Sequence, residues 1–125
     1  MSGRAEARVV VDRLSKSFRD ARLGLVHAVD EVSFEARPGE VFALLGPNGA
    51  GKTTTLRMLC TVLKPTGGTA RVAGFDVATQ ADRVRQNIGY MSMNTALYDR
   101  MSAWEMVAFF GRLHGMEPEP LRQRM

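Results

Sequence analysis

The chain has 125 residues, with 17 Lys and Arg against 13 Asp and Glu, a net charge of +4 at pH 7 and 45% hydrophobic residues. That length and balance suit one domain with one core and exclude wholesale disorder. The single cysteine, Cys60, excludes a disulfide framework and favours a reducing setting; inside an apolar run it reads as a small core residue rather than a nucleophile.

The start, "MSGRAEARVVVD", lacks the long apolar segment of a secretory signal. The runs "VFALL" and "MVAFF" are too short to span a bilayer, so the chain reads as soluble or bound to membranes through a partner. The excess positive charge is mostly arginine, scattered from Arg4 to Arg124 without a basic run. A nucleic-acid surface needs clustering, so a solvated surface is the reading and no nucleic-acid partner is expected.

Along the chain, "RVVVDRLSKSF" reads as a strand and the polar, glycine-containing "RDARLGLVHA" as a loop. Alternating Val32 and Phe34 predict a half-buried strand, and Pro38-Gly39 a turn. "EVFALL", residues 40–45, is a near-continuous apolar run of the kind a buried parallel strand shows. Leu56, Leu59, Cys60 and Leu63 fall at i, i+3, i+4, i+7 and predict one apolar helix face over 51–64, ended by "KPTGG". "TARVAGFDV" reads as a strand or hairpin, "TQADRVRQN" as a polar helix capped by Thr79, and "IGYMSM" as a β-like run. In "SAWEMVAFFGRLHG", Ser102 and Glu105 form a capping box, Gly115 suits the C-terminal cap, and Met106, Phe109, Phe110 and Leu113 make a stripe expected to be core. A last helix is expected to begin near Pro120.

Between the apolar run and the first helix lies "GPNGAGKTTT". Gly46, Gly51, Lys52 and Thr53 match G-x-x-x-x-G-K-[ST], in the strand–loop–helix setting that pattern requires. Glycines let successive N–H groups curl into one concavity, and the helix N-terminus adds unpartnered amides and a dipole that favours an anion. Lys52 supplies a cation for the β- and γ-phosphates, Thr53 a hydroxyl for magnesium, and Thr54 a bond nearer the sugar. A plain glycine-rich turn does not account for the lysine followed by hydroxyls. A dinucleotide loop fits worse, because Gly46, Gly49 and Gly51 do not follow G-x-G-x-x-G.

"GEVFALLGPNGAGKTTTLRML", "LKPTGGTARVAGFDV" and "IGYMS…TALYDRMSAWE" together resemble the ATP-binding subunits of ABC transporters, over about residues 8–116, in a style similar to sodium- or drug-efflux subunits. The resemblance implies an α/β fold: part of a phosphate-loop ATPase core beside an N-terminal antiparallel β subdomain, over residues 8–125. It implies that Gly46, Pro47, Asn48, Gly49, Ala50, Gly51, Lys52 and Thr53 wrap the phosphates of ATP beside Thr54, with Mg2+ on Thr53. Phe18 sits where the family places an aromatic that stacks on adenine; the alternative is a core phenylalanine at a strand end. It also implies a membrane permease, a second ATP-binding subunit, and a place on the inner, cytoplasmic face of the cell membrane.

Two departures stand out. Met93 occupies the position of a glutamine that helps hold magnesium in the family, and a thioether is a poor ligand for a hard cation. The family's "LSGGQ"-like signature, its second aspartate motif with a catalytic glutamate, and its switch histidine have no match; "TGGT", "VVVD", His27 and His114 do not supply them. The chain thus reads as a truncated nucleotide-binding domain that binds ATP without hydrolysing it alone, with apolar surface left on its core strands and on the 51–64 helix. A non-catalytic nucleotide-binding remnant is the second reading. Another phosphate-loop enzyme is the third, and no guanine-reading N/T-K-x-D element supports it.

Overall fold

Valine-rich sequence opens β1, Val9–Asp20, which pairs antiparallel with β2, Gly24–Ala36, on one side and with β3, Gly67–Val72, on the other. A two-residue strand, β4 (Phe75–Asp76), completes a sheet of order β2-β1-β3-β4. The computed structural model describes residues 8–92 and 99–125, and the chain divides after Tyr90 into two compact units.

The central strand does not keep a simple alternation. Val11 and Leu14 are three apart yet both buried, because the β1–β2 register shifts between them and so re-phases the strand. Arg13 and Glu31 take left-handed backbone conformations there, with φ of 44° and 45°. The amides displaced from the ladder find serines instead: Arg13 N–H donates to Ser33 Oγ at 2.8 Å and Glu31 N–H to Ser15 Oγ at 2.9 Å.

Residues 19–28, expected to be a loop, are mostly strand. The reversal is confined to Asp20–Gly24, where the Asp20 carboxylate accepts from the amides of Leu23 and Arg22 at 2.9 and 2.7 Å. Those two donors hold its carboxyl below the usual range. Gly24, at φ 74°, then returns the chain into β2. The polar composition belongs to an exposed hairpin arm rather than to irregular chain.

The turn at Pro38-Gly39 is present, with Glu40 N–H donating to Arg37 O at 3.3 Å. The run after it is not a strand. Residues 41–47 carry no ladder, and Val41 and Leu45 are 100% and 90% exposed. A parallel strand needs neighbouring backbone on which to pair, and among the described residues no strand pairs with this segment. Leu44 is half-buried, and Phe42 stacks on Phe34 with ring centroids 4.7 Å apart.

Helix α1, Lys52–Leu59, is shorter than the 51–64 expected and turned by one position. Its buried residues are Thr55 and Met58, whereas Leu56 is exposed. Thr55 tolerates burial because its hydroxyl donates to Gly51 O at 2.9 Å. The helix stops before "KPTGG" because Thr61 turns left-handed at φ 62° and the amides of Val62 and Leu63 both donate back to Arg57 O. Leu59 and Leu63 still pack against the core. Half-buried beside them, Cys60 has its thiol pushed above its ordinary pKa by burial, which suits a packing residue.

"TARVAGFDV" does form a hairpin, turned by Ala73 and Gly74 at φ 52° and 82°. Helix α2, Ala81–Gln86, starts at Gln80 and has no side-chain cap, so Thr79 is not its capping residue. The Thr79 hydroxyl instead donates to Asp76, which also accepts the amides of Ala78 and Thr79 at 2.8 and 2.9 Å. A turn nucleated by a carboxylate competes here for the side chain that would otherwise cap. Residues 88–92 form no strand, and Met93, with 94–98, lies outside the described residues. The core of this unit is Val11, Leu14, Val29, Met58, Ala70, Val72, Val77 and Val84.

The second unit contains α3, Ala103–Leu113, and α4, Pro118–Arg124. The capping box is complete: Glu105 N–H donates to Ser102 Oγ at 3.2 Å and Ser102 N–H to Glu105 Oε2 at 2.8 Å. Gly115, at φ 73°, closes α3. The Met106, Phe109, Phe110, Leu113 stripe is not core, since no residue of α3 is buried. Contact between α3 and α4 centres instead on Leu121, the buried residue of α4, whose methyl carbons fill the space left open at Gly111. Helix α4 begins at Pro118, two residues before the expected Pro120.

Candidate functional site

The loop 46–51 hangs between the extended segment 41–45 and the N-terminus of α1. Asn48 and Gly49 form its turn, with Ala50 N–H donating to Pro47 O at 3.2 Å. Gly49 and Gly51 sit at φ 84° and 85°, a conformation that suits glycine. At Gly51 a second constraint applies, because a Cβ would lie 2.4 Å from the carbonyl oxygen of Ala28 and 3.1 Å from Val29 Cγ2. The last glycine of the loop is therefore what lets α1 start against β2.

Lys52, the first residue of α1, folds back over the loop. Its ammonium donates to Pro47 O at 2.6 Å and to Gly46 O. The cation is thereby held at the mouth of the loop by neutral carbonyls, which an anion's oxygens can outbid. Thr55 N–H is the first to bond within the helix, to Gly51 O at 2.8 Å, leaving the amides of the preceding turn without intrahelical acceptors. No acidic side chain occupies that first turn. Thr53 is exposed on it and Thr54 half-buried. An ammonium, a helix N-terminus and two hydroxyls form a donor set that fits a polyphosphate and an accompanying hard cation.

Of the predicted site residues, Gly46 through Thr54 are contiguous and come together in this way. Phe18 belongs to β1, paired with Val26 of β2, and is 42% exposed. It is not a core phenylalanine. The ammonium of Lys16 stands over its ring, 5.1 Å from the centroid, and donates to Lys64 O at 2.7 Å. The same stretch of chain is stitched to β1 three times more: Thr66 N–H and Oγ1 both donate to Ser15 O, at 2.9 and 3.2 Å, and Ser17 N–H donates to Thr66 Oγ1 at 3.0 Å. Sequence reading missed Lys16, although Lys-x-Phe on a strand places both side chains on one face. It also missed the Ser15–Thr66 staple, which joins residues 51 apart and leaves no local signal.

This combination, a glycine loop opening α1 beside an antiparallel sheet, is a partial α/β fold with a phosphate-loop sequence at the start of its first helix. The ABC transporter family matches residues 29–124, and the chain belongs to that family. It is 44% identical over 112 residues to the ABC transporter ATP-binding protein NatA of Bacillus subtilis, spanning 89% of this chain and 45% of that protein. It is 40% identical over 116 residues to the doxorubicin resistance ATP-binding protein DrrA of Mycobacterium tuberculosis, spanning 93% of this chain and 34% of that protein. The chain thus spans less than half the length of these relatives. Among solved structures, the dimeric bacterial ABC transporter cassette MJ0796 superposes with a TM-score of 0.78 over 93% of this chain and 53% of that one, at 22% identity, a likeness of fold.

Proposed function

We propose that residues 46–54 bind the phosphates of ATP with magnesium, as part of an ATP-binding subunit that energises export across a membrane. The observation that carries this reading is the loop itself. Lys52 rests on the Gly46 and Pro47 carbonyls at the open N-terminus of α1, ready to exchange them for phosphate oxygens. Magnesium would take the Thr53 hydroxyl together with phosphate oxygens and water, since among the described residues no group of three or more His, Cys, Asp and Glu is gathered. Bound there, the ion would neutralise charge on the β- and γ-oxygens. Phe18, exposed and on a rigid strand, would stack on the adenine.

Export is favoured by the names of the relatives, which include drug-resistance and probable multidrug proteins. Among the described residues no helix is long and apolar enough to cross a membrane. A permease partner on the inner face of the membrane would supply the path and the substrate specificity, and a second ATP-binding subunit would close over the nucleotide. Alone, the 125-residue chain is proposed to bind ATP without turning it over. Phosphoryl transfer needs a positioned water and charge stabilisation beyond the cradle. Labelled ATP titrated against wild type and Lys52→Ala tests binding, and equal affinities would sink it. Magnesium- and Lys52-dependent turnover by the purified chain would overturn the second part.

A further inference from the structure

The aromatic on β1 does not stand alone. Lys16 and Phe18 share one face of the strand, the Lys16 ammonium lies 5.1 Å from the ring centroid, and Lys64 O fixes that ammonium from the other side at 2.7 Å. Lys64 lies on the segment leaving α1, and Thr66 bonds that segment to Ser15 and Ser17. The cation is thus pinned between the phosphate-loop helix's exit and the ring, and Phe18 remains 42% exposed.

Resting on the nucleotide reading above, we propose that Lys16 is a positioning residue for base recognition. Its ammonium occupies one face of Phe18, fixes the ring's orientation, and leaves the other face for a purine. A cation on one face of an aromatic ring draws on the ring's quadrupole, so ring and cation behave as a unit rather than as a loose side chain. Lys16 therefore acts on the base and not on the phosphates, which the loop holds.

The two roles separate with a ligand that has no base. Affinities for ATP and for inorganic tripolyphosphate, both with magnesium, are measured for wild type, Lys16→Met, Lys16→Arg and Lys52→Ala. Lys16→Met, which keeps the stem and removes the charge, should weaken ATP about two- to fivefold and leave tripolyphosphate unchanged. Lys16→Arg, which restores a cation over the ring, should recover ATP binding. Equal losses for both ligands would make Lys16 a phosphate charge, no change in either would make it a surface lysine, and tighter ATP binding would put the ammonium on the base's own face. Each of those overturns the proposal. Retained tripolyphosphate binding also shows that the variant is folded. If wild type binds neither ligand, or Lys52→Ala changes nothing, the nucleotide reading itself fails and this inference falls with it.

Discussion

Gly51 approaches the carbonyl of Ala28 so closely that an added Cβ would lie 2.4 Å from the oxygen. The mouth of the loop is pinned to β2 at a residue with no side chain, and the direction of α1 is set there. Gly49 shares the same left-handed backbone but has nothing within 4 Å of a Cβ. Gly49→Ala should therefore cost only the left-handed strain, about 1–2 kcal/mol. Gly51→Ala should cost a further ~1–3 kcal/mol from the clash with backbone. Urea unfolding of the two variants checks this, and equal losses would remove the close-approach argument.

Lys52→Ala should weaken ATP about ten- to a hundredfold, the range expected for charge-assisted bonds to phosphate, with little effect on stability. In the structure the ammonium donates to the exposed carbonyls of Gly46 and Pro47. A titration paired with a thermal melt separates loss of affinity from loss of fold.

Met58 is wholly buried between α1 and the sheet. Met58→Ala should destabilise the first unit by about 2–5 kcal/mol through the cavity it leaves. Leu56→Ala, on the exposed side, should cost far less. A reversed order in denaturant midpoints would restore the helix face drawn from the sequence.

How much was legible can be judged from such pairs. The loop, the capping box and the Gly115 cap are local, because the groups that satisfy one another lie within a few residues. They could be read directly. The helix face was misread by one position because a threonine can be buried when its hydroxyl bonds the turn before it, and the apolar count at Leu56 and Cys60 pointed elsewhere. "EVFALL" has a strand's composition, but a strand is defined by its neighbours. The hairpin arms over 19–28 were hidden because exposed strands carry polar side chains. Phe18 could be read onto its strand from the sequence, but its cation could not, since the Lys64 carbonyl that holds Lys16 lies 48 residues away.

Glu105 has its carboxyl held below its ordinary value of 4.5, first by the Ser102 amide and then by the Ser102 hydroxyl. A lowered value in the folded state means that the stabilisation is fully present above 4.5 and disappears as pH falls through the lowered value. Protection of the α3 amides, taken relative to their intrinsic exchange rate at each pH, should therefore fall on acidification from about pH 6 to pH 3. Glu105→Gln should flatten that dependence. Unchanged protection in wild type across the range would show that the box does not hold the helix.

The hydrogen bonds between Thr66 and Ser15 close an excursion of 51 residues that carries β2, the loop and α1. Closing so long a segment reduces chain entropy during folding, by an amount that grows only slowly with its length. That loss falls on the folding reaction, so a ligand arriving at residues 46–54 meets amides already ordered and needs to immobilise little more. Binding and folding are then linked by mass action, and saturating nucleotide should raise the melting temperature of the hairpin as well as that of the loop.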